Sequence, residues 1–257
     1  MLYFRSLLFY LGMILSAATM GPFSFLLLPT SFTIRYRFLT MWARMNLWVL
    51  EKLCGLRYEV EGKENIPTGN GLIFCKHQSA WETLALQQIF PPQTWLLKRE
   101  LLWIPFFGWG LAMLGSIGID RRAGTAALSK LVSDGIDRLQ KGRWLVIFPE
   151  GTRVAPGEER KFHKGGSILA AKAGYPVVPV AHNAGEYWPR RTIVKLPGTI
   201  KVVVGPPIDT QGMRASEINR LTEQWMNETM QRITGERFKR SEPALGRGTD
   251  TVDSADA

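Results

Sequence analysis

Short apolar runs alternate along this chain with longer segments whose apolar residues recur at helical spacing. The short runs are typical of buried strands, and the longer segments are typical of amphipathic helices. Because helices that alternate with strands cover the faces of a sheet, this order indicates an α/β fold. We therefore predict a single mixed sheet covered by helices. The predicted strands are residues 58–60, 72–74, 95–97, 117–119, 145–148, 177–180 and 200–204, and the clearest helices are residues 126–139, 168–173 and 218–233.

The N-terminal segment lacks charge, because no acidic or basic residue occurs between Arg5 and Arg35, a run of 29 residues. Crossing the apolar core of a bilayer takes roughly 20 residues, so the run predicts a membrane-anchoring helical segment. Gly21-Pro22 and Pro29 interrupt it, and one tilted span or two short helices in one leaflet would both fit. A cleaved signal peptide is less favoured, because apolar residues continue beyond Ser16-Ala17-Ala18.

The rest of the chain suits one globular domain with a polar end. Residues 38–53 carry an apolar stripe at helical spacing with basic residues among it, which suits either an interfacial helix or a helix packed on the domain. We predict membrane-anchoring and interfacial helices at residues 1–56, the globular domain at 57–240, and a disordered tail at 241–257. The net charge of +10 indicates an anionic partner. Anionic lipid is favoured over nucleic acid, since the N-terminal segment suits a bilayer and no nucleic-acid motif occurs.

His77 and Glu82 are the residues best suited to chemistry, and His77 is one of only three histidines. They follow a predicted strand, and open α/β sheets place their sites at strand ends. Neither a regular helix nor a strand would bring together residues five apart, so the chain must turn between them. The sequence Ser79-Ala80-Trp81-Glu82 matches a capping box and predicts a helix that begins at Ala80. Glu82 would then either orient His77 or only cap the helix.

Four sequence blocks that include this pair occur in a family's order. The chain resembles the glycerolipid acyltransferases, specifically the bacterial 1-acylglycerol-3-phosphate acyltransferases, whose first block has a histidine and an aspartate separated by four residues. Glu82 stands where that family most often has aspartate, which changes the reach of the carboxylate. The third block, Phe148-Pro149-Glu150-Gly151-Thr152-Arg153, is the most specific. The resemblance extends from about residue 58 to residue 204, and its blocks lie at residues 77–82, 115–121, 148–153 and 177–180.

The resemblance implies a role for each matching residue. His77 and Glu82 would be catalytic, and a further set would bind the substrate phosphate. Lys98 and Arg153 both follow apolar strand-like runs, so both cations emerge at strand ends. Arginine offers a planar fork for phosphate oxygens, whereas lysine acts as a point charge. The implied phosphate-binding residues are Lys98, Arg121, Glu150, Gly151 and Arg153.

A neutral imidazole with a carboxylate behind it suits acyl transfer. His77 would take the proton of an attacking hydroxyl group, and Glu82 would fix its tautomer and stabilise the imidazolium. Because the substrate hydroxyl is the nucleophile, no acyl-enzyme is expected. The chain contains no Gly-x-Ser-x-Gly, His-Glu-x-x-His or Walker-type motif. The apolar setting of Cys75 favours a buried structural thiol, and Cys54 and Cys75 imply no disulfide framework. We therefore predict no metal and no cofactor.

The resulting prediction is a membrane enzyme of phospholipid biosynthesis. It would transfer a fatty acyl group from acyl-CoA or acyl carrier protein to the sn-2 hydroxyl of 1-acylglycerol-3-phosphate (lysophosphatidic acid), which gives phosphatidate. Its expected location is the bacterial inner membrane, with the active site facing the cytoplasm. Two alternatives are the same chemistry on another lysolipid, such as lyso-ornithine lipid, and a non-catalytic membrane-binding protein.

Overall fold

The computed structural model describes residues 1–235 of the chain. Within them, seven strands form one sheet: β1 (Leu56–Glu61), β2 (Leu72–Cys75), β3 (Gln93–Lys98), β4 (Ile117–Ile119), β5 (Trp144–Ile147), β6 (Val177–His182) and β7 (Gly198–Val204). Their order is β1-β7-β6-β2-β5-β3-β4. Neighbours are parallel except for the antiparallel pair β6 and β7. The prediction of a single mixed sheet is confirmed.

Helices cover the sheet in the described part of the chain: α1 (Leu2–Ser24), α2 (Phe32–Cys54), α3 (Trp81–Ile89), α4 (Phe107–Met113), α5 (Gly124–Gln140), α6 (Gly165–Ala173) and α7 (Ala215–Ile233). The three clearest helices of the sequence are therefore confirmed, each within a few residues at its start. The short helix α4 was not predicted. It contains Gly108 and Gly110, and it begins after Phe106, whose φ is 64°. Glycine lowers helix propensity, so the local pattern of α4 is weak.

The two faces of the sheet separate into two apolar cores, as β2 illustrates. Ile73 and Cys75 point into a core that α1, α2 and α3 cover, whereas Leu72 and Phe74 point into a core that α5 and α6 cover. All four β2 residues are buried, because helices lie on both sides. The edge strand β1 instead exposes every second residue. Central strands of this kind give the continuous apolar runs that made them visible in the sequence.

The helices α1 and α2 form a hairpin, with Pro29 between them. Gly21-Pro22 does not break α1, whereas Pro29 lies in the break between α1 and α2. Pro22 lies in the last turn of α1, so little of the helix follows the N–H donor that it lacks. Both membrane arrangements of this run stay predictions. Ser31 is the N-cap of α2, and its hydroxyl accepts a hydrogen bond from the Ile34 N–H. Gly55 is the C-cap and lies in the left-handed region.

One face of α1 packs on the domain and the other is exposed. Ser6 and Phe9 are buried, whereas Leu8, Leu11 and Leu15 are exposed. Residues 2–27 are long and apolar enough to cross a membrane by length and composition. The division into residues 1–56 and 57–240 stays a prediction, and the predicted tail at 241–257 lies outside the described residues.

Candidate active site

The turn between β2 and α3 brings His77 and Glu82 together. The Nδ1 atom of His77 lies 2.8 Å from Oε1 of Glu82. The helix begins at Trp81, one residue later than predicted, and Glu82 lies in its first turn. The added methylene of glutamate therefore does not prevent contact. A carboxylate at Nδ1 makes that nitrogen the protonated one and leaves Nε2 as the basic nitrogen.

Glu82 both caps the helix and contacts His77. Its side chain is fully buried, and its Oε1 also accepts hydrogen bonds from the N–H groups of Gln78 (3.0 Å) and Ser79 (2.9 Å). Burial opposes ionisation, but the hydrogen bonds from His77 and Ser79 outweigh it and hold the pKa of Glu82 below its usual value. The two interpretations of Glu82 are thus compatible, since one carboxylate makes both sets of contacts.

Phe148, the residue that follows β5, holds the His77 ring from a second side. The two rings stack with their centroids 4.0 Å apart and an interplanar angle of 18°. His77 lines a cavity of about 1090 Å³. An imidazole held by a carboxylate and a stacked ring can turn little. Its geometry suits proton transfer to or from a molecule in that cavity.

Lys76 and Glu150 form a buried ion pair directly behind His77. Lys76 Nζ contacts Glu150 Oε1, and the His77 N–H donates to Glu150 Oε2 at 2.8 Å. Burial raises the pKa of Glu150, against the lowering effect of Lys76. Both carboxylate oxygens are therefore occupied inside the protein, and Glu150 does not line the cavity. Glu150 therefore supports the turn between β2 and α3. Its implied role in binding phosphate stays a prediction.

His182 is a site residue that the sequence reasoning missed. It ends β6 and is buried, with its Nε2 2.8 Å from the Lys76 carbonyl oxygen and 3.8 Å from Glu82 Oε2. The Ala184 N–H donates to His182 Nδ1 at 3.2 Å, so Nε2 carries the proton and the ring is neutral. Burial lowers the pKa of His182, which agrees with that state. Its position at the end of a fully apolar run was the available signal.

Two of the three cations that were predicted to bind phosphate line the cavity. Lys98, Gly151 and Arg153 line it. Arg121 follows β4 in the chain, and its side chain lies outside the described part of the structure. Among the described residues, no Asp or Glu lines the cavity, so its electrostatic character is positive. Further cavity residues that no phosphate prediction included are His163, Lys164, Arg190 and Arg191.

The remaining wall of the cavity is largely apolar. Met13 and Ile14 come from α1, Trp42 from α2, and Phe107 and Leu111 from α4. A cavity that is lined by cations in one part and by apolar side chains in another suits an amphiphilic ligand.

Neither cysteine competes with His77 for a catalytic role. Cys75 is fully buried, and burial raises the pKa of its thiol well above its usual value, so a thiolate is disfavoured. Cys54 is also buried, and burial raises the pKa of its thiol as well.

Relatives with established names match this chain over most of its length. Residues 57–183 match the family described as Acyltransferase. A 1-acyl-sn-glycerol-3-phosphate acyltransferase of Pseudomonas aeruginosa is 47% identical over 248 residues, which cover 94% of this chain and 96% of that protein. A protein of the same name from Saccharomyces cerevisiae is 32% identical over 186 residues, 70% of this chain and 61% of its own.

A solved structure shares the fold. The crystal structure of the 1-acyl-sn-glycerophosphate acyltransferase from Thermotoga maritima matches with a TM-score of 0.75. The match covers 89% of this chain and 94% of that one, at 24% sequence identity. At this identity the likeness bears on the fold alone.

Proposed function

The chain belongs to the acyltransferase family, and from that premise we propose that it transfers a fatty acyl group to the sn-2 hydroxyl of 1-acylglycerol-3-phosphate. The product would be phosphatidate. The names of its relatives support this acceptor. The observation that carries the proposal is the His77–Glu82 contact of 2.8 Å at the wall of a cavity with cationic and apolar parts.

The proposed reaction is a direct transfer with His77 as general base. Its Nε2 takes the hydroxyl proton while the acceptor oxygen bonds to the thioester carbonyl carbon. Glu82 stabilises the imidazolium through Nδ1–H. The tetrahedral intermediate then loses its C–S bond, and His77 returns the proton to the leaving thiolate. No group of the enzyme is acylated at any step.

The acceptor phosphate would lie at the cationic part of the cavity. Lys98, Arg153 and His77 line the same cavity. A phosphomonoester bound by the two cations would therefore place the glycerol hydroxyl in the cavity that His77 lines. Arg153 can donate a fork of two hydrogen bonds, and Lys98 adds a point charge. Arg121 would be a third cation. The acyl chains would occupy the apolar part.

The proposed donor is acyl-CoA or acyl carrier protein, and neither metal nor cofactor is required by the steps above. Both donors present the acyl group as a thioester, so His77 would act in the same way on either. The chemistry of the dyad does not distinguish them.

The proposed location is the inner membrane of a bacterium, with the active site facing the cytoplasm. The exposed leucines of α1 favour contact with lipid. The opposite face of α1 packs on the domain through Phe9 and Met13, and α1 supplies Met13 and Ile14 to the cavity. A helix fixed along the domain in this way favours an in-plane position over a span, since a span would draw the domain into the bilayer.

A transfer assay with purified protein in detergent tests the proposal. Acyl-CoA and acyl carrier protein donors are each combined with lysophosphatidate, other lysophospholipids and lyso-ornithine lipid. Lysophosphatidate should be the preferred acceptor. His77→Ala should lower kcat by about 10² to 10⁴, because it removes the general base.

The control for that loss is the fold of the variant, checked by its thermal unfolding. A His77→Ala protein that unfolds normally and retains full activity would show that the chain uses another base. Absence of transfer by the wild-type protein to any acceptor would favour the non-catalytic membrane-binding protein. Preference for lyso-ornithine lipid would assign the same chemistry to a different acceptor.

A further inference from the structure

The segment between β6 and β7, residues 183–197, is attached to the turn between β2 and α3, residues 76–80. The Gly185 N–H donates to Gln78 Oε1 at 3.2 Å, and Ser79 Oγ donates to the Trp188 carbonyl oxygen at 2.6 Å. Gln78 and Ser79 lie between His77 and Glu82 in sequence. The main chain of this segment is therefore attached at two points beside the proposed base.

Arg190 belongs to this segment and lines the cavity. Its side chain is half-buried, and its Nη1 donates to the Arg153 carbonyl oxygen at 2.6 Å. That bond fixes the guanidinium beside the third sequence block. An arginine side chain has five N–H donors, so most of the fork is left for another partner.

Nothing in the described chain neutralises this guanidinium. Among residues 1–235, Arg190 forms no ion pair with a carboxylate, and no acidic residue lines the cavity beside it. A charged group that has lost part of its water without a counter-charge is unfavourable. An anion bound in the cavity would remove that cost, and a phosphate matches the planar fork.

We infer that Arg190 is a further phosphate-binding residue, which binds a phosphate ester of a substrate together with Arg153. This inference rests on the proposed acyl transfer. Two substrates carry the required chemistry: the phosphomonoester of the acceptor and the phosphate of the donor's phosphopantetheine arm. Arg190 lies outside all four sequence blocks, which is why the resemblance did not indicate it.

The test compares Arg190→Met and Arg190→Lys with the wild-type protein. Dissociation constants are measured for lysophosphatidate and for 1-monoacylglycerol, which has the same chain without phosphate, and KM is measured for acyl-CoA. Arg190→Met should weaken one phosphate-bearing substrate by roughly 10- to 100-fold, the range for losing charge-assisted hydrogen bonds. Arg190→Lys should fall between, because lysine keeps the charge but cannot hold both Arg153 and a phosphate with a fork.

The arms of the test identify which phosphate is bound. A loss confined to lysophosphatidate, with monoacylglycerol binding unchanged, assigns Arg190 to the acceptor. A rise confined to the KM of acyl-CoA assigns it to the donor.

Arg160→Met serves as the matched control, since Arg160 is an exposed arginine that does not line the cavity. It removes the same charge and should leave all three constants unchanged. The inference is overturned if Arg190→Met changes none of them, or if it weakens lysophosphatidate and monoacylglycerol equally, which would indicate only structural support of Arg153. Failure of the wild-type protein to acylate lysophosphatidate would overturn the proposed function instead.

Discussion

Two lysines are buried among residues 1–235, and they are stabilised in different ways. Lys76 is 5% exposed and pairs with the carboxylate of Glu150, whereas Lys195 is 0% exposed and contacts aromatic rings. An ion pair supplies the buried charge of Lys76 with a counter-charge. The aromatic rings that contact Lys195 supply none. The comparison therefore separates a paired charge at the turn between β2 and α3 from an unpaired one where α1 meets the domain.

The Lys76–Glu150 pair supports the turn between β2 and α3, which carries His77. Glu150 binds Lys76 with one oxygen and accepts the His77 N–H with the other. The Lys76 carbonyl oxygen in turn accepts a hydrogen bond from His182. The position of His77 thus depends on a network whose charges cancel.

Lys195 instead connects α1 to the segment that carries Arg190. Its Nζ lies 3.0 Å from the centroid of the Tyr10 ring and donates to the Ile193 carbonyl oxygen at 2.7 Å. The Lys195 N–H donates to Ser6 Oγ at 2.9 Å. Burial lowers the pKa of Lys195 to about 7, because rings and one carbonyl replace water incompletely. Its charge therefore changes within the physiological pH range.

Breaking the ion pair should have the largest effect. Glu150→Gln leaves the Lys76 charge buried without a counter-charge, which should lower the free energy of unfolding by about 3–5 kcal/mol. The glutamine can still accept the His77 N–H, so the loss comes mainly from the charge. Equilibrium unfolding in denaturant, followed by circular dichroism in detergent, measures it.

The double variant Lys76→Met/Glu150→Gln is the matched comparison. It removes both charges while keeping similar volume, so it should recover most of the lost stability. A double variant as unstable as the single one would contradict the view that the unpaired charge is the cause.

The same comparison shows what the sequence could and could not predict. The contact between His77 and Glu82 is local, and the capping-box spacing was enough to place them near one helix end. The Lys76–Glu150 pair depends on β2 and β5 being neighbours in the sheet, and His182 reaches the site because β6 lies on the other side of β2. Strand order is a long-range property that no local spacing contains.

The central strands were predicted well because they are apolar on both faces. The edge strand β1 was only partly located, since alternating Arg57, Glu59 and Glu61 are exposed. Lys195 lies between Val194 and Leu196, and this apolar setting was the only sequence signal of a buried lysine. The ring that it contacts, Tyr10, lies near the other end of the chain, so no local sequence pattern indicates this contact.

The lowered pKa of Lys195 predicts that the free energy of unfolding depends on pH. Between the folded pKa of about 7 and the ordinary value of 10.5, the unfolded chain holds a proton that folded Lys195 has released. Stability should therefore rise with pH above about 7, by at most about 1.4 kcal/mol per pH unit. Below that pH both states are protonated and the full burial penalty applies. Unfolding measured from pH 6 to pH 9 tests the slope.

Lys195→Met should flatten this part of the pH profile, because methionine occupies similar space without a titrating group. Lys201→Met is the control, since Lys201 is an exposed lysine in β7, and its profile should follow the wild type. A Lys195→Met profile that keeps the wild-type slope would assign the pH dependence to another group.

The smallest expected effect belongs to the ring that faces the Lys195 ammonium. Tyr10→Leu removes a cation–π contact and should lower the free energy of unfolding by about 1 kcal/mol more at pH 6 than at pH 9, because only the protonated amine is attracted to the ring. Tyr10→Phe keeps the ring face and should show little of this pH-dependent difference. In a Lys195→Met background the difference should disappear, since no cation is left to interact with the ring. Equal losses at both pH values in Tyr10→Leu would mean that the ring contributes apolar packing alone. Lys195 would then differ from the paired Lys76 only in lacking a counter-charge.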